Sequence, residues 1–349
     1  MLRTAAVPGV RFNRHRNNAS MADIVDWHAH WVPPEVVAVL AERDCEPRVF
    51  SENGTRFISV SPGVAQPLKE TQLDLSARIA EMDRLGVARQ VLSLAVVLGH
   101  FLVRLPADLE QALVAANNAG LARLVKQRSE RFSGLATLPL AHLDDAPAVF
   151  EKAVVEQGLL GAILPADAFA DKTAARRFSD VFAVADRLGA HLFIHPGPLP
   201  GGAPALTPAD EADMVRRRAV AFQDSLTAAV VTFEYTDFLD PYPNAVVHVA
   251  NLGGTIALLA ERIAMTAKRM ALPPHLASGR LRRIFVDTAS FGACGVALAA
   301  QVLGADRLVF GTDSPALEIA PGYQGVIAAD LGEEKTVAIL EGLAFPSRR

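Results

Sequence analysis

Residues 23–31 read DIVDWHAHW, an apolar start followed by two histidines, His28 and His30, one residue apart. In an extended strand, residues two apart point to the same side, so both imidazoles would share one face. If this is the first strand of a parallel barrel, its C-terminal end is where such barrels carry their chemistry. The competing reading is a strand terminus that is merely rich in aromatic rings, and an HxH pair alone does not decide between the two.

The chain around this stretch supports the barrel. From Asp23 onward, short apolar runs alternate with longer amphipathic segments, the pattern of βα units about a parallel sheet. Strands are expected at Ile24 to His28, Gln90 to Ala95, Gly134 to Leu138, Gly161 to Leu164, His191 to His195, Val246 to Ala250, Arg283 to Asp287 and Arg307 to Gly311. Helix-like segments such as LSARIAEMDRLG and ARRFSDVFAVADRLG lie between them, and several end in the Gly that favours a helix C-cap. Eight such units give an α/β fold, a (β/α)8 TIM barrel, rather than an open dinucleotide-binding sheet, and no GxGxxG follows the first strand. Two segments interrupt the repeat. RVFSENGTRFISVSPG, residues 48–63, reads as a β-hairpin insertion turning at Asn53-Gly54 after the first strand. The stretch from Pro196 to Tyr242 is long for a βα connection.

Composition narrows the class of partner. Half of the 349 residues are hydrophobic, which allows a large core, and the net charge of −4 comes without a basic stripe. A nucleic-acid surface is therefore not indicated, and a small-molecule substrate is. Cys45 and Cys294 are too few and too far apart for a disulfide framework, which fits a cytoplasmic setting. No apolar run approaches the ~20 residues a membrane-spanning helix needs. Residues 1–22 hold four arginines and no acid before Asp23, and are expected to be a disordered extension. A transit peptide, or a start codon upstream of a native start at Met21, would explain them equally well. Residues 23–349 are then a single domain.

Two further strand ends complete a ligand set. AHLFIHPG ends in His195, and RLVFGTDSP carries Asp313. Three imidazoles and a carboxylate suit Zn²⁺ well, with Mn²⁺ or Fe²⁺ as alternatives, and leave room for a substrate oxygen. The motifs DWHAH, MDRLGV, RFSGLATLPL, FIHPG, NLGGTIALLAERI and LVFGTDSP run in this order from Asp23 to about Leu343. In that combination the chain resembles the amidohydrolase superfamily, in its branch related to aminocarboxymuconate semialdehyde decarboxylase. The resemblance implies that His28, His30, His195 and Asp313 are the metal ligands, the same four that strand geometry selects, and it suggests a homodimer.

One position departs from that pattern. The family keeps HLGG after the sixth strand, its histidine serving as acid/base, whereas this chain has Asn251-Leu252-Gly253-Gly254. Asn exchanges hydrogen bonds but cannot take up a proton at neutral pH. His248, three residues earlier, is expected to point to the opposite face and pack under a helix, so Asp313 is the better proton carrier. His191 lies roughly 13 Å below His195 and reads as a core histidine. His100 and Asp287 occupy catalytic-face positions and could touch substrate or hold a ligand. Arg48, Arg217 and Arg218 lie in the insertions and could clamp a carboxylate, while Asn117 and Asn118 read as polar packing.

The leading expectation is a metal-dependent decarboxylase of a small carboxylated aromatic or unsaturated compound, with catalytic roles for Asp313, Asn251 and His100. The alternative is a hydrolase of a lactone, ester or amide built on the same ligands. A third reading, from another class, is a metal-binding barrel without catalysis. Asn251 favours it, and retention of all four ligands weighs against it.

Overall fold

The computed structural model describes residues 23–61, 64–94, 105–198, 215–271, 281–316 and 325–346. Eight parallel strands form one sheet in the order β1 (Ile24–Trp31), β5 (Val87–Leu94), β6 (Phe132–Ala136), β7 (Gly161–Pro165), β8 (His191–His195), β9 (Val246–Val249), β10 (Ile284–Asp287) and β11 (Leu308–Val309). The ring closes where β1 meets the segment after β11. There Trp27 N–H donates to Phe310 O at 2.9 Å, Asp313 N–H to His28 O at 2.7 Å and His30 N–H to Ser314 O at 2.7 Å. Each expected strand is present, and each is largely buried, because helices cover the outside and side chains fill the inside.

Local signals set the element ends. The helix Leu75–Leu85 begins where the Asp74 side chain accepts from Ser76 N–H, and it stops at Gly86, whose φ of 71° is left-handed. The helix Ser179–Leu188 stops in the same way at Gly189. Among the described residues no helix is long and apolar enough to cross a membrane.

β1 is not a regular strand. Asp26 pairs with Gln90 and Ala29 with Leu92, so Trp27 and His28 together face Val91 alone. Such a bulge re-aims side chains. Below it Trp27 packs against Phe345 and His191 in the closed base of the barrel, while above it His28 meets His30 and His195.

The insertion after β1 carries more structure than a hairpin. β2 (Arg48–Glu52) and β3 (Thr55–Ser61) turn at Asn53 and Gly54, both with positive φ, and a third strand, β4 (Val64–Pro67), pairs with β3. Val49, Ile58 and Leu68 join Val32, Val36, Leu94 and Leu113 in a second apolar cluster. That packing anchors the insertion on the face where β1 and β5 end.

The base also holds a titratable group. His191 is buried beside Trp27 and Phe345, and burial, followed by neighbouring His248, holds its pKa well below 6.5. The folded protein thus keeps this ring neutral where the unfolded chain would protonate it. Its stabilising share is complete above about pH 6.5 and is lost as pH falls below that value. Replacing His191 with Phe should therefore flatten the fall in Tm between about pH 7 and pH 5 relative to wild type, as read by calorimetry across that range.

Candidate metal centre

His28, His30, His195 and Asp313 come together from β1, β8 and the turn after β11, with one ligand atom of each within 4.8 Å of all the others. The three imidazole centroids lie 5.0–5.1 Å apart, and their planes are mutually near perpendicular, at 87–89°. Asp313 Oδ1 lies 3.1 Å from His30 Nε2 and 3.5 Å from His28 Nε2.

Each ring is fixed by its other nitrogen. His28 Nδ1–H donates to Asp287 Oδ2 at 3.0 Å, His30 Nδ1–H to Ser93 Oγ at 2.9 Å and His195 Nδ1–H to the Pro196 carbonyl at 3.1 Å. Partners of this kind set the tautomer that leaves Nε2 available to a metal. His28 Nε2, His30 Nε2 and Asp313 Oδ1 are buried and make no hydrogen bond among the described residues. Orphaned donor atoms of this kind, converging on one point, fit a divalent cation with N/O preference. Burial opposes a charge on His28, but Asp287 and then Asp313 raise its pKa to about 9. Burial lowers the pKa of His30.

The backbone is committed to this geometry. Asp313 has a φ of 59°, a left-handed conformation that is rare outside Gly and concentrated at functional sites. Gly311 leaves space for the ligands, because a Cβ at that position would lie 2.8 Å from His28 Cβ and 2.9 Å from Asp287 Cβ.

A network that the sequence did not disclose supports β1 from below. Asp26 accepts from Thr312 Oγ1–H at 2.7 Å, Gln90 Nε2–H at 2.9 Å and the backbone N–H of His28 and Thr312. Burial raises its pKa to about 6, against the lowering effect of those hydrogen bonds. Arg78 is buried, donates to Gln90 Oε1 and to the His30 carbonyl, and has its pKa lowered to about 10 by burial.

The remaining candidates fall into clear places. Of the two roles open to Asp287, the geometry supports holding a ligand. Its carboxylate is wholly buried, with Oδ1 accepting from the N–H groups of Asn251 and Ala289 and Oδ2 facing His28 and His248, so no edge faces substrate. His248 corrects the expectation of a residue packed under a helix, because it points into the barrel and stacks on Phe193. Strand alternation ends at Val249, and Asn251 and Leu252 turn through left-handed φ of 53° and 54°, so the face of Asn251 cannot be counted back to His248. Asn251 itself is buried, with Oδ1 unpartnered among the described residues. His100 lies outside the described residues. Arg48 stands over the Phe50 ring and 3.5 Å from Glu46, and Arg217 is half-buried over Phe222. Asn117 and Asn118 bind Thr137, tying their helix to the end of β6.

Known proteins share this fold. A family model described as amidohydrolase matches residues 25–342. The apo IDCase of Metarhizium anisopliae superposes with a TM-score of 0.72 at 21% identity, covering 92% of this chain and 95% of that one. 2,6-Dihydroxybenzoate decarboxylase from Rhizobium gives 0.67 at 20% identity, with 93% and 98% covered. A mutant 5-carboxyvanillate decarboxylase of Novosphingobium aromaticivorans, with bound manganese and 3-methoxy-4-hydroxy-5-nitrobenzoic acid, gives 0.70 at 18% identity, with 91% and 94% covered.

Two measurements test the centre. Purified protein should carry about one equivalent of transition metal per chain, and replacing His28 and His30 with Ala should remove most of it in elemental analysis. Metal content that survives both replacements overturns the ligand assignment. Gly311→Ala should cost roughly 1–3 kcal/mol in urea unfolding, because the added methyl must push His28 or Asp287 aside.

Proposed function

Because the chain belongs to the amidohydrolase family, we propose that it is a metal-dependent decarboxylase of a small aromatic or unsaturated carboxylate, most simply one with a phenolic oxygen beside the carboxyl group. One observation carries this reading: three mutually perpendicular imidazoles and Asp313 converge at one strand-end site, in a barrel whose structural neighbours include enzymes that decarboxylate dihydroxybenzoate and carboxyvanillate. Zn²⁺ fits the ligand set, and the manganese in the carboxyvanillate enzyme supports Mn²⁺ as the alternative.

His28, His30, His195 and Asp313 would hold the cation, which when bound supplies Lewis-acid attraction for the substrate carboxylate and its neighbouring oxygen. Asp313 is only partly exposed and turns Oδ1 to the imidazoles, leaving Oδ2 as the atom that carries a proton. In this scheme Oδ2–H protonates the ring carbon bearing the carboxylate. The C–C bond then breaks, its electron pair returns to the ring, CO2 leaves and solvent reprotonates Asp313. Asn251, whose Oδ1 has no partner among the described residues, would orient the substrate by hydrogen bonding in place of the usual histidine. Arg217, half-buried in the second insertion, is assigned to the anionic group of the substrate, which its planar guanidinium can hold at two points, and Arg48 is assigned the same task from the other insertion. His100 retains its proposed catalytic-face role. A homodimer in the cytoplasm completes the proposal, and exposed Leu258 and Met265 on the helix Ile256–Arg269 offer it an apolar face.

Metal-loaded enzyme supplied with hydroxylated benzoates should release CO2, while lactones and esters should give no acid. Acid release without CO2 would favour the hydrolase reading. Asp313→Asn should lower kcat on any accepted carboxylate by about 100-fold or more, as measured by CO2 evolution.

A further inference from the structure

The scheme above leaves a buried pair of histidines beneath the metal centre without a task. His248 projects into the barrel from β9, stacked on Phe193 with ring centroids 4.7 Å apart. Its Nε2 lies 3.0 Å from Asp287 Oδ2, the same oxygen that receives His28 Nδ1–H at 3.0 Å. Its Nδ1 lies 3.3 Å from His191 Nε2, and the planes of the two rings are inclined by 27°. His28, Asp287, His248 and His191 thus form a buried column from the ligand cluster to the base, closed below by Trp27 and Phe345.

Hydrogen-bond polarity along this column follows from one end. The Asp287 carboxylate acts as an acceptor throughout, because Oδ1 takes the backbone N–H groups of Asn251 and Ala289 and Oδ2 takes His28 Nδ1–H. Two lone pairs repel at 3.0 Å, so His248 Nε2 carries a hydrogen, although the contact is bent off the straight N–H line. Burial keeps His248 neutral, which leaves its Nδ1 bare. His191 Nε2 must then donate to it, leaving His191 Nδ1 bare at the base.

We propose that His248 is a positioning residue for the metal centre: its Nε2–H holds the Asp287 carboxylate where it fixes His28 Nδ1–H, and so aims His28 Nε2 at the other three ligands. The inference rests on the metal-centre reading. The same carboxylate holds the Asn251 backbone at 3.1 Å, so His248 also steadies the turn that carries Asn251. His191 locks the His248 tautomer from below.

The test compares His248→Phe, which fills the space without a donor, with His248→Gln, which restores an N–H. Zn²⁺ affinity of metal-stripped protein is read by competition with a chromophoric chelator, alongside Tm of the stripped protein. Phe should weaken Zn²⁺ binding about 10–100-fold and Gln much less, beyond what any shared loss of Tm explains. Equal affinity in wild type and the Phe variant overturns the proposal alone, as does an equal loss in both variants. Wild-type protein that takes up neither Zn²⁺ nor Mn²⁺ overturns the metal reading and the proposal with it. A second readout needs neither variants nor metal. ¹⁵N spectra of the histidine side chains should show Nδ1 bare and Nε2 protonated in both His248 and His191, and the opposite tautomer in His248 overturns the assignment.

Discussion

One buried carboxylate carries much of this architecture. Asp287 stands wholly buried at the end of β10, and its two oxygens face His28 of β1, His248 of β9 and the backbone N–H groups of Asn251 and Ala289. Taking an ionised carboxylate out of water is costly unless nearly every lone pair finds a donor. Here the donors come from separate strands, so the charge is satisfied only when the strands are in register. The ligand cluster inherits its geometry from that condition.

A second polar set works in the same way on the other side of β1. Arg78 leaves the solvated face that an arginine usually seeks and reaches through its helix to Gln90 and the His30 carbonyl, while Asp26 joins Gln90 to Thr312. Helix Leu75–Leu85, β1, β5 and the segment after β11 are thereby bound by polar contacts near the ligands, whereas the base is closed by Trp27, Phe285 and Phe345. Polar groups aim the top of the barrel, and aromatic packing seals its base.

Much of this was legible from residues alone. The eight barrel strands announced themselves as apolar runs ended by turn residues, and the clustering of His28, His30, His195 and Asp313 by their place at strand ends. What stayed hidden depended on departures from regularity. β4 is short and follows Pro62-Gly63, too little sequence to show a period. His248 was assigned the wrong face because strand alternation ends at Val249 and cannot be carried on to Asn251, whose own φ is left-handed. The buried place of Arg78 had one signal in the sequence, its position four residues before the apolar Met82 on the same helix face. The contacts of Asp287 with His28 and Asn251 needed the three-dimensional structure, because these partners lie 259 and 36 residues away in sequence.

The bulge in β1 has a consequence for how this strand can change over evolution. Because Trp27 and His28 share one facing residue, the strand is read in two frames, one serving the aromatic base and the other the ligand cluster. Loss of a single residue between Asp26 and Ala29 would merge the frames and leave either the base or the cluster without its side chain. Length in this segment is therefore more tightly constrained than identity: a substitution can be repaired by its neighbours, whereas a deletion asks one position to do the work of two.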